Sequence, residues 1–173
     1  MIKIHPLSKD TVQQASNLAN NVFSTREVPP SRALEASIDN AKQIQFRKEL
    51  FEEHKITMLD FNYWVALDSG TEEVSGVIGL YTDQDDHSEA AWISWFCVGE
   101  AYRGKGVGGE LIDFVVERTT REGKKYLRLF TSTDPNEAAA QKLYEKRGFR
   151  IDEKREKRKR GEHEIFYREL KLG

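Results

Sequence analysis

The sequence has little of what marks secreted or membrane proteins. Its 173 residues include one cysteine, Cys97, which excludes an intrachain disulfide framework and makes a reducing compartment the simplest setting. No apolar run approaches the length of a membrane-spanning helix, and the first residues, MIKIHPL, lack the apolar core of a signal peptide. With no repeat and no low-complexity linker either, we expect a cytoplasmic protein with one domain over residues 1–173.

An excess of charge of one sign is also lacking. The 27 Lys and Arg residues are balanced by 29 Asp and Glu, so the net charge of -2 gives no bulk attraction to nucleic acid or to an anionic membrane. The basic run Lys154–Arg160 contains Glu156 and is followed by Glu162 and Glu164, which favours a solvated hairpin over a nucleic-acid site. The four histidines have no metal-ligand spacing, so no metal is expected.

The most informative stretch runs from Trp92 to Arg121. It begins with WISWFCV, whose aromatic and β-branched content is typical of a buried strand, and it ends with apolar residues at helical spacing. Between them lie Gly104, Gly106, Gly108 and Gly109. A glycine-rich turn that opens a helix presents unpaired N–H groups and the positive end of the helix dipole. The stretch therefore predicts a phosphate or pyrophosphate site on a strand, a turn and a helix.

The rest of the chain predicts a mixed α/β sheet with helices on both faces. Glycine at position 79, within a predicted strand, indicates a bulge or a close neighbour. In chain order we expect a strand at 2–5, a helix that Ser8 or Asp10 caps and that ends near 24–25, and a long helix over 31–54 that Asp39 and Asn40 weaken. Strands at 61–67 and 74–81 follow, and then the central strand and helix. The chain is expected to finish with a strand at 126–133, a helix over 134–148 and a closing hairpin around Arg160 and Gly161.

Two motifs resemble those of the GNAT superfamily of acetyl-CoA-dependent N-acetyltransferases. The family signature Arg/Gln-x-x-Gly-x-Gly/Ala is matched by Arg103, Gly106 and Gly108. Downstream, the residues LYEKRGF from Leu143 to Phe149 resemble its Leu-Tyr-x-x-x-Gly-Phe ending. The order of elements matches along nearly the whole chain. The resemblance implies the GNAT fold: one domain with a mixed, mostly antiparallel twisted sheet of about seven strands flanked by about four helices.

The resemblance also implies where the co-substrate acetyl-CoA binds. The turn would hold the pyrophosphate through backbone N–H groups, and the preceding strand would pair its end with the pantetheine arm where the two central strands part. Asn136 resembles an asparagine of the family, but it lies eight residues before Tyr144 instead of seven, where Glu137 stands. The implied cofactor-binding residues are Phe96, Cys97, Val98, Arg103, Gly104, Lys105, Gly106, Val107, Gly108, Gly109 and Asn136.

For the chemistry, the resemblance implies that Tyr144 acts as general acid to the CoA sulfur. A thiol has a pKa of about 8.5, so the leaving thiolate needs only modest proton assistance, which a phenol can supply. The acceptor is expected to be a primary amine, on a small molecule or a peptide, that attacks directly in a ternary complex. The base stays open among Glu89, Ser94, His87 and a water relay, with Asp60 and Glu27 as weaker candidates.

Three other roles of the chain or its residues have some support in the sequence. Cys97 as a nucleophile is disfavoured, because the sequence places no histidine to activate it and a free cysteine in a central strand is ordinarily a small buried residue. The chain could also be a CoA-binding sensor or scaffold without activity, or bind nucleic acid through the basic hairpin.

The charge of the acceptor and the oligomeric state are less well indicated. The acidic side chains of Glu27, Glu35 and Asp39 favour a cationic acceptor. The protein is expected to be a monomer or a homodimer.

Overall fold

The computed structural model describes residues 2–173, the side chains of residues 53 and 54 excepted. The strands are β1 (Ile2–Pro6), β2 (Met58–Asp68), β3 (Val74–Asp83), β4 (Ala90–Val98), β5 (Tyr126–Ser132), β6 (Arg150–Ile151), β7 (Arg158–Arg160) and β8 (His163–Lys171). The helices are α1 (Val12–Val22), α2 (Ser31–Ser37), α3 (Asn40–His54), α4 (Val107–Arg121) and α5 (Ala138–Lys146), with short 3₁₀ turns at Glu100–Tyr102 and Pro135–Glu137.

Within the described residues, the strands form one eight-stranded mixed sheet in the order β1-β2-β3-β4-β5-β8-β6, with β7 pairing β8. Every neighbouring pair is antiparallel except β4 and β5, which run parallel. The predicted mixed, mostly antiparallel sheet is confirmed. It has one strand more than the expected seven because Asp152 accepts the N–H of Lys154 and splits the first arm of the closing hairpin into β6 and β7.

The two faces of the sheet carry separate cores because strand side chains alternate between faces. On β2, Trp64 and Ala66 pack with α4 and α5, whereas Tyr63 and Val65 pack with α1 and α2. The predicted placement of helices on both faces is therefore confirmed. None of the helices in the described part of the chain combines the length and the apolar character needed to cross a membrane.

Helix boundaries follow local capping. The long helix expected over residues 31–54 is two helices in the structure. The chain breaks at the residues expected to weaken it, because the Asp39 carboxylate accepts the N–H of Lys42 at 3.0 Å and starts α3 after α2 has ended. The expectation that Ser8 or Asp10 caps α1 is wrong. Thr11 is the N-cap, and its side chain accepts the N–H of Ser8 at 3.1 Å, so Ser8 belongs to the turn before the helix. Helix α1 ends at Val22, slightly before the predicted end.

Strand β4 leaves β5 after three paired residues. Residues 90–92 of β4 pair with residues 126–128 of β5, and from there β5 pairs only with β8. At the same place β4 contains an extra residue: Ile78 pairs with Phe96 and Leu80 with Ile93, so two steps along β3 face three along β4. This is a β-bulge, which bends its strand and disrupts the local ladder. The bulge and the parting of the strands leave a gap between β4 and β5.

Gly79 lies opposite this bulge. The place where its Cβ would stand is occupied by the ring of Tyr63 on β2. Both features predicted from a glycine within a strand, an irregular register and a close neighbour, are therefore confirmed.

Replacing Gly79 with alanine should lower the free energy of unfolding by about 1–3 kcal/mol, because the methyl group would displace the Tyr63 ring in a packed core. Urea unfolding measures this. Gly70→Ala is the matched control, since Gly70 lies in an exposed turn where its nearest neighbour is the Asp68 carboxylate at 3.3 Å. Unchanged stability of Gly79→Ala would show that the ring does not need this space.

Candidate active site

The turn between β4 and α4 is formed by glycines in the left-handed region. Gly104 has φ of 74° and Gly106 has φ of 88°, and a Cβ at either would meet nothing within 4 Å. No acceptor among the described residues takes the N–H groups of residues 104–106, and no side chain caps α4. The first N–H groups of a helix also lack intrahelical partners. A row of free N–H groups therefore lies at the positive end of a 15-residue helix.

The next two glycines serve close packing. A Cβ on Gly108 would lie 3.2 Å from Leu143 and 3.3 Å from Phe96, and one on Gly109 would meet the guanidinium of Arg147. Leu143 and Arg147 belong to the second sequence motif. The two motifs are thus in direct contact, with α5 packed against the first turn of α4.

Cations flank the turn. Arg103 and Lys105 are exposed, and neither has a carboxylate partner among the described side chains. The Arg103 Nε lies 3.4 Å from the carbonyl oxygen of Val98, and the Lys105 ammonium lies 5.4 Å from the ring centre of Tyr102. The field at the turn therefore favours an anion.

The end of β4 borders the gap. Beyond residue 92 its edge toward β5 has no strand partner in the described chain, so backbone N–H and C=O groups there are available to another extended group. Phe96 and Val98 face the α4 side of the sheet, whereas Cys97 faces the α1 side. The structure thus brings together the strand end and the turn that the sequence analysis singled out.

Tyr144 lies in α5 on the α4 side of the gap and is 6% exposed. Its ring centre lies 6.1 Å from that of Phe96 and 5.8 Å from that of Phe149. The hydroxyl has no hydrogen bond to any described residue. Burial raises the pKa of Tyr144, and the nearby charge of Glu137 adds to this, so the side chain is a neutral phenol that retains its proton.

Asn136 and Glu137 differ sharply in environment. Asn136 is exposed and donates its backbone N–H to the Asp134 carboxylate at 2.9 Å, so its predicted contact with the co-substrate stays a prediction. Glu137 is the residue that turns toward the end of β5, where it accepts hydrogen bonds from Thr131 and Ser132. It stands seven residues before Tyr144, the distance at which the resemblance implies an asparagine.

The predicted bases are scattered. Glu89 lies 3.0 Å from the guanidinium of Arg128, and His87 is exposed in the turn before β4. Ser94 alone lies at the bulge, where its hydroxyl is 2.6 Å from that of Tyr63. Burial raises the pKa of Tyr63, so this pair is neutral. Tyr63 was not predicted from the sequence, although the glycine opposite it in β3 was a signal for a close neighbour.

The weaker base candidates lie elsewhere. Asp60 is exposed and accepts a hydrogen bond from Thr82 on the neighbouring strand, and Glu27 is exposed on the chain between α1 and α2. Among the described residues, no group of three or more His, Cys, Asp or Glu side chains could hold a metal ion.

A cavity of about 370 Å³ opens beside the gap, within the size range of small-ligand sites. Aromatic side chains from four adjacent strands line it: Tyr81, Trp92, Phe130 and Tyr167. Phe130 belongs to the part of β5 that has already parted from β4, so the cavity adjoins the gap. Its other side is formed by an ion-pair cluster around the buried Arg128.

The acidic residues Glu35 and Asp39 do not face the gap. Both line a separate cavity of about 350 Å³ beside α1, where Glu35 pairs with Lys42 at 3.4 Å and Asp39 caps α3. The expectation that these two carboxylates select a cationic acceptor stays a prediction; the contacts that the structure gives them are with Lys42 of α3.

Cys97 is 4% exposed, which confirms its interpretation as a buried residue. Burial raises the pKa of its thiol to about 12. A group with a raised pKa stays protonated at neutral pH, and a protonated thiol is a poor nucleophile.

A thiol reagent should therefore leave Cys97 unmodified in the folded protein at pH 8. With a pKa of about 12 the thiolate fraction is about 10³-fold below that of an ordinary thiol with a pKa of about 8.5, and burial further blocks access. Mass spectrometry after timed labelling measures this, and the same protein in denaturant is the control. Labelling of the folded protein at the denatured rate would contradict this placement.

Known proteins resemble this chain in sequence and in fold. Residues 32–149 match the sequence model of the Acetyltransferase (GNAT) family. Among solved structures, a GNAT family acetyltransferase from Elizabethkingia anophelis with acetyl-CoA bound is 19% identical, with 99% of this chain and 98% of that chain covered and a TM-score of 0.64.

Two further structures have the same fold. Arabidopsis thaliana NAA60 in complex with a bisubstrate analogue is 15% identical, with 100% of this chain and 99% of that chain covered and a TM-score of 0.71. The ribosomal-protein-S18-alanine N-acetyltransferase from Escherichia coli is 16% identical, with 100% and 95% covered and a TM-score of 0.67. Because the family match spans more than half of the chain, the protein belongs to the GNAT family and is an acetyl-CoA-dependent acetyltransferase.

Proposed function

We propose that the chain, as one acetyltransferase domain over residues 1–173, moves the acetyl group of acetyl-CoA directly to a primary amine. The observation that carries this proposal is the gap between β4 and β5, which opens beside the glycine turn and faces a buried, neutral phenol. An anion site, a free strand edge and a proton donor meet there. Together they suit a phosphate-tethered thioester.

The donor would be held almost entirely by the backbone. The free N–H groups from Gly104 to Gly109 suit the pyrophosphate, and Arg103 and Lys105 add positive charge. The unpaired edge of β4 at Phe96, Cys97 and Val98 suits the amide groups of the pantetheine arm. Cys97 would contribute only its backbone, since its side chain faces the other core. Asn136 would make at most an outer contact, because it is exposed.

Acetyl-CoA supplies a thioester activated toward amines. In the proposed reaction the amine nitrogen forms a bond to the carbonyl carbon and gives up one proton to water, and the carbon–sulfur bond breaks. The sulfur takes the proton of Tyr144, which solvent then replaces. A free N–H on the edge of β4 would stabilise charge on the carbonyl oxygen. Because a thiolate is a weak base, the proton transfer assists a leaving group that needs little help.

The amine has to lose a proton first, since an alkylamine with a pKa of about 10.4 is mostly protonated at pH 7. Glu89 is ion-paired, and His87 is exposed away from the bulge. The neutral Ser94 and Tyr63 pair is too weak a base to take the proton itself, but it can orient water at the gap. We propose that this water carries the proton to solvent.

The acceptor would approach from the α1 side through the aromatic cavity, opposite the side that holds Tyr144 and α4. The relatives include a protein named for acetylation of a ribosomal-protein alanine, so peptide N-termini belong beside small amines in a test panel. A thiol-release assay should show release that requires both acetyl-CoA and an amine. Binding of acetyl-CoA without release across the panel would instead support an inactive CoA-binding module.

Tyr144→Phe should lower kcat by about 10²-fold, the low end for loss of a general acid, while the Kd for acetyl-CoA stays within about twofold. Stability should hardly change, because the hydroxyl has no hydrogen bond to lose and the ring packing is kept. Steady-state kinetics and calorimetry measure both quantities. Tyr126→Phe is the matched control, because Tyr126 starts β5 in the part that still pairs with β4, away from the gap. An unaltered kcat in Tyr144→Phe would show that Tyr144 is not the general acid.

Gly106→Glu should raise the Kd for acetyl-CoA by at least about 100-fold, because a carboxylate would stand where the pyrophosphate is expected. Gly161→Glu is a closely matched control. It also introduces a side chain at a positive φ, 60° against 88°, with open space around the Cβ, but it lies in the hairpin. Calorimetric titration compares the two. Equal affinities would place the pyrophosphate elsewhere.

A further inference from the structure

The Glu137 carboxylate joins three segments that are far apart in the sequence. One oxygen accepts from the Thr131 hydroxyl and the Ser132 N–H, both at 2.7 Å, at the end of β5. The other accepts from the Ser132 hydroxyl at 2.9 Å, from Arg26 at 2.5 Å and from Arg160 at 3.3 Å. Arg26 lies between α1 and α2, and Arg160 ends β7.

The segment 23–30, which carries Arg26, crosses the gap on its α1 side. At one end the Phe23 ring packs on Trp95 of β4, with ring centres 4.9 Å apart. Three residues later Arg26 reaches Glu137, which is fixed to the end of β5. The segment therefore contacts β4 directly through Phe23 and is connected to the end of β5 through Glu137, and in this way it bridges the opening between the two strands.

The hairpin of β7 and β8 reaches the same point from the other side. Arg160 bonds both Glu137 and the Ser132 hydroxyl, the latter at 3.1 Å. The side chain of Glu137 is 17% exposed, that of Arg26 15% and that of Arg160 37%, so the three charges are partly shielded from water. Shielding strengthens such contacts relative to those at a fully exposed site.

Glu137 is unsuited to act as the general base. Burial opposes its ionisation, but the hydrogen bonds from Thr131 and Ser132 and the charge of Arg26 outweigh burial and hold its pKa below the ordinary range. Both oxygens are occupied by donors already. A base needs a free lone pair and a pKa near the working pH, and Glu137 has neither.

We propose that Glu137 is a positioning residue whose carboxylate holds segment 23–30 and the β7–β8 hairpin together across the gap, and so fixes the entrance for the acceptor amine. The assignment of the acceptor side rests on the proposed acetyl transfer. The clasp itself, formed by Arg26, Glu137 and Arg160, rests only on contacts within the chain.

Hydrogen exchange of the full chain tests the clasp without turnover. Glu137→Gln keeps the size of the side chain but removes the charge, and it should speed amide exchange at least about fivefold in both segment 23–30 and residues 158–163. Arg26→Gln should affect only the first segment and Arg160→Gln only the second, because each removes one arm. These arginine variants keep the test decisive if Glu137→Gln folds poorly.

Glu164→Gln is the matched control: it makes the same chemical change on the same hairpin, where Glu164 pairs with the exposed Lys157 at 2.9 Å. It should leave exchange in both segments unchanged. Unchanged exchange in all three clasp variants would overturn the clasp, and so would an equal rise across the whole chain, which would indicate general destabilisation.

Kinetics test the role in the reaction. With any amine that supports thiol release, Glu137→Gln should raise the acceptor KM about tenfold and leave the acetyl-CoA KM within about twofold, because an unfixed entrance affects only one substrate. A parallel rise in both KM values would overturn the positioning role. If the wild type releases no thiol with any amine, the proposed function fails, whereas the exchange result still decides the clasp.

Discussion

A central strand can pair with both of its neighbours only while its register matches the register of both. The register of β4 shifts along the strand, so β4 does not keep both partners. Its extra residue near Ser94 lets it follow β3 to Val98, whereas its parallel ladder with β5 stops at Trp92. The edge that β5 leaves is backbone with free donors and acceptors, in the middle of a sheet rather than at its rim. The locations proposed for the co-substrate and the acceptor depend on this parting, and Tyr144 lies beside it.

The gap is useful because its two sides differ. On the α4 side it has free N–H groups, exposed cations and a buried phenol, which suit an anionic thioester and its sulfur. On the α1 side it has aromatic rings and the clasp around Glu137, which suit an acceptor held in place. Such a division would let the two substrates meet without competing for one pocket, as the proposed direct transfer requires.

Local features were predictable from the sequence and nonlocal ones were not. The positive φ at Gly106 and the cap at Asp39 depend on a few neighbouring residues, so the turn and the weak point of the helix over 31–54 were predicted. The bulge depends on register between two strands, and only Gly79 hinted at it. The contact of Arg26 with Glu137 joins residues 111 positions apart, which no single sequence reveals. The seven-residue spacing to Tyr144 drew attention to Glu137 in the sequence, but it did not reveal which residues contact the Glu137 carboxylate.

The proposed reaction requires acetyl-CoA to lie in the gap between β4 and β5. The most direct measurement is backbone NMR of the full chain with and without acetyl-CoA, reading the amide shift of each residue. If acetyl-CoA lies in the gap, the largest changes should occur at residues 96–98 and 104–109, with small changes in α3 and in the cavity beside α1. Large changes at that cavity, with residues 96–98 and 104–109 unaffected, would contradict it.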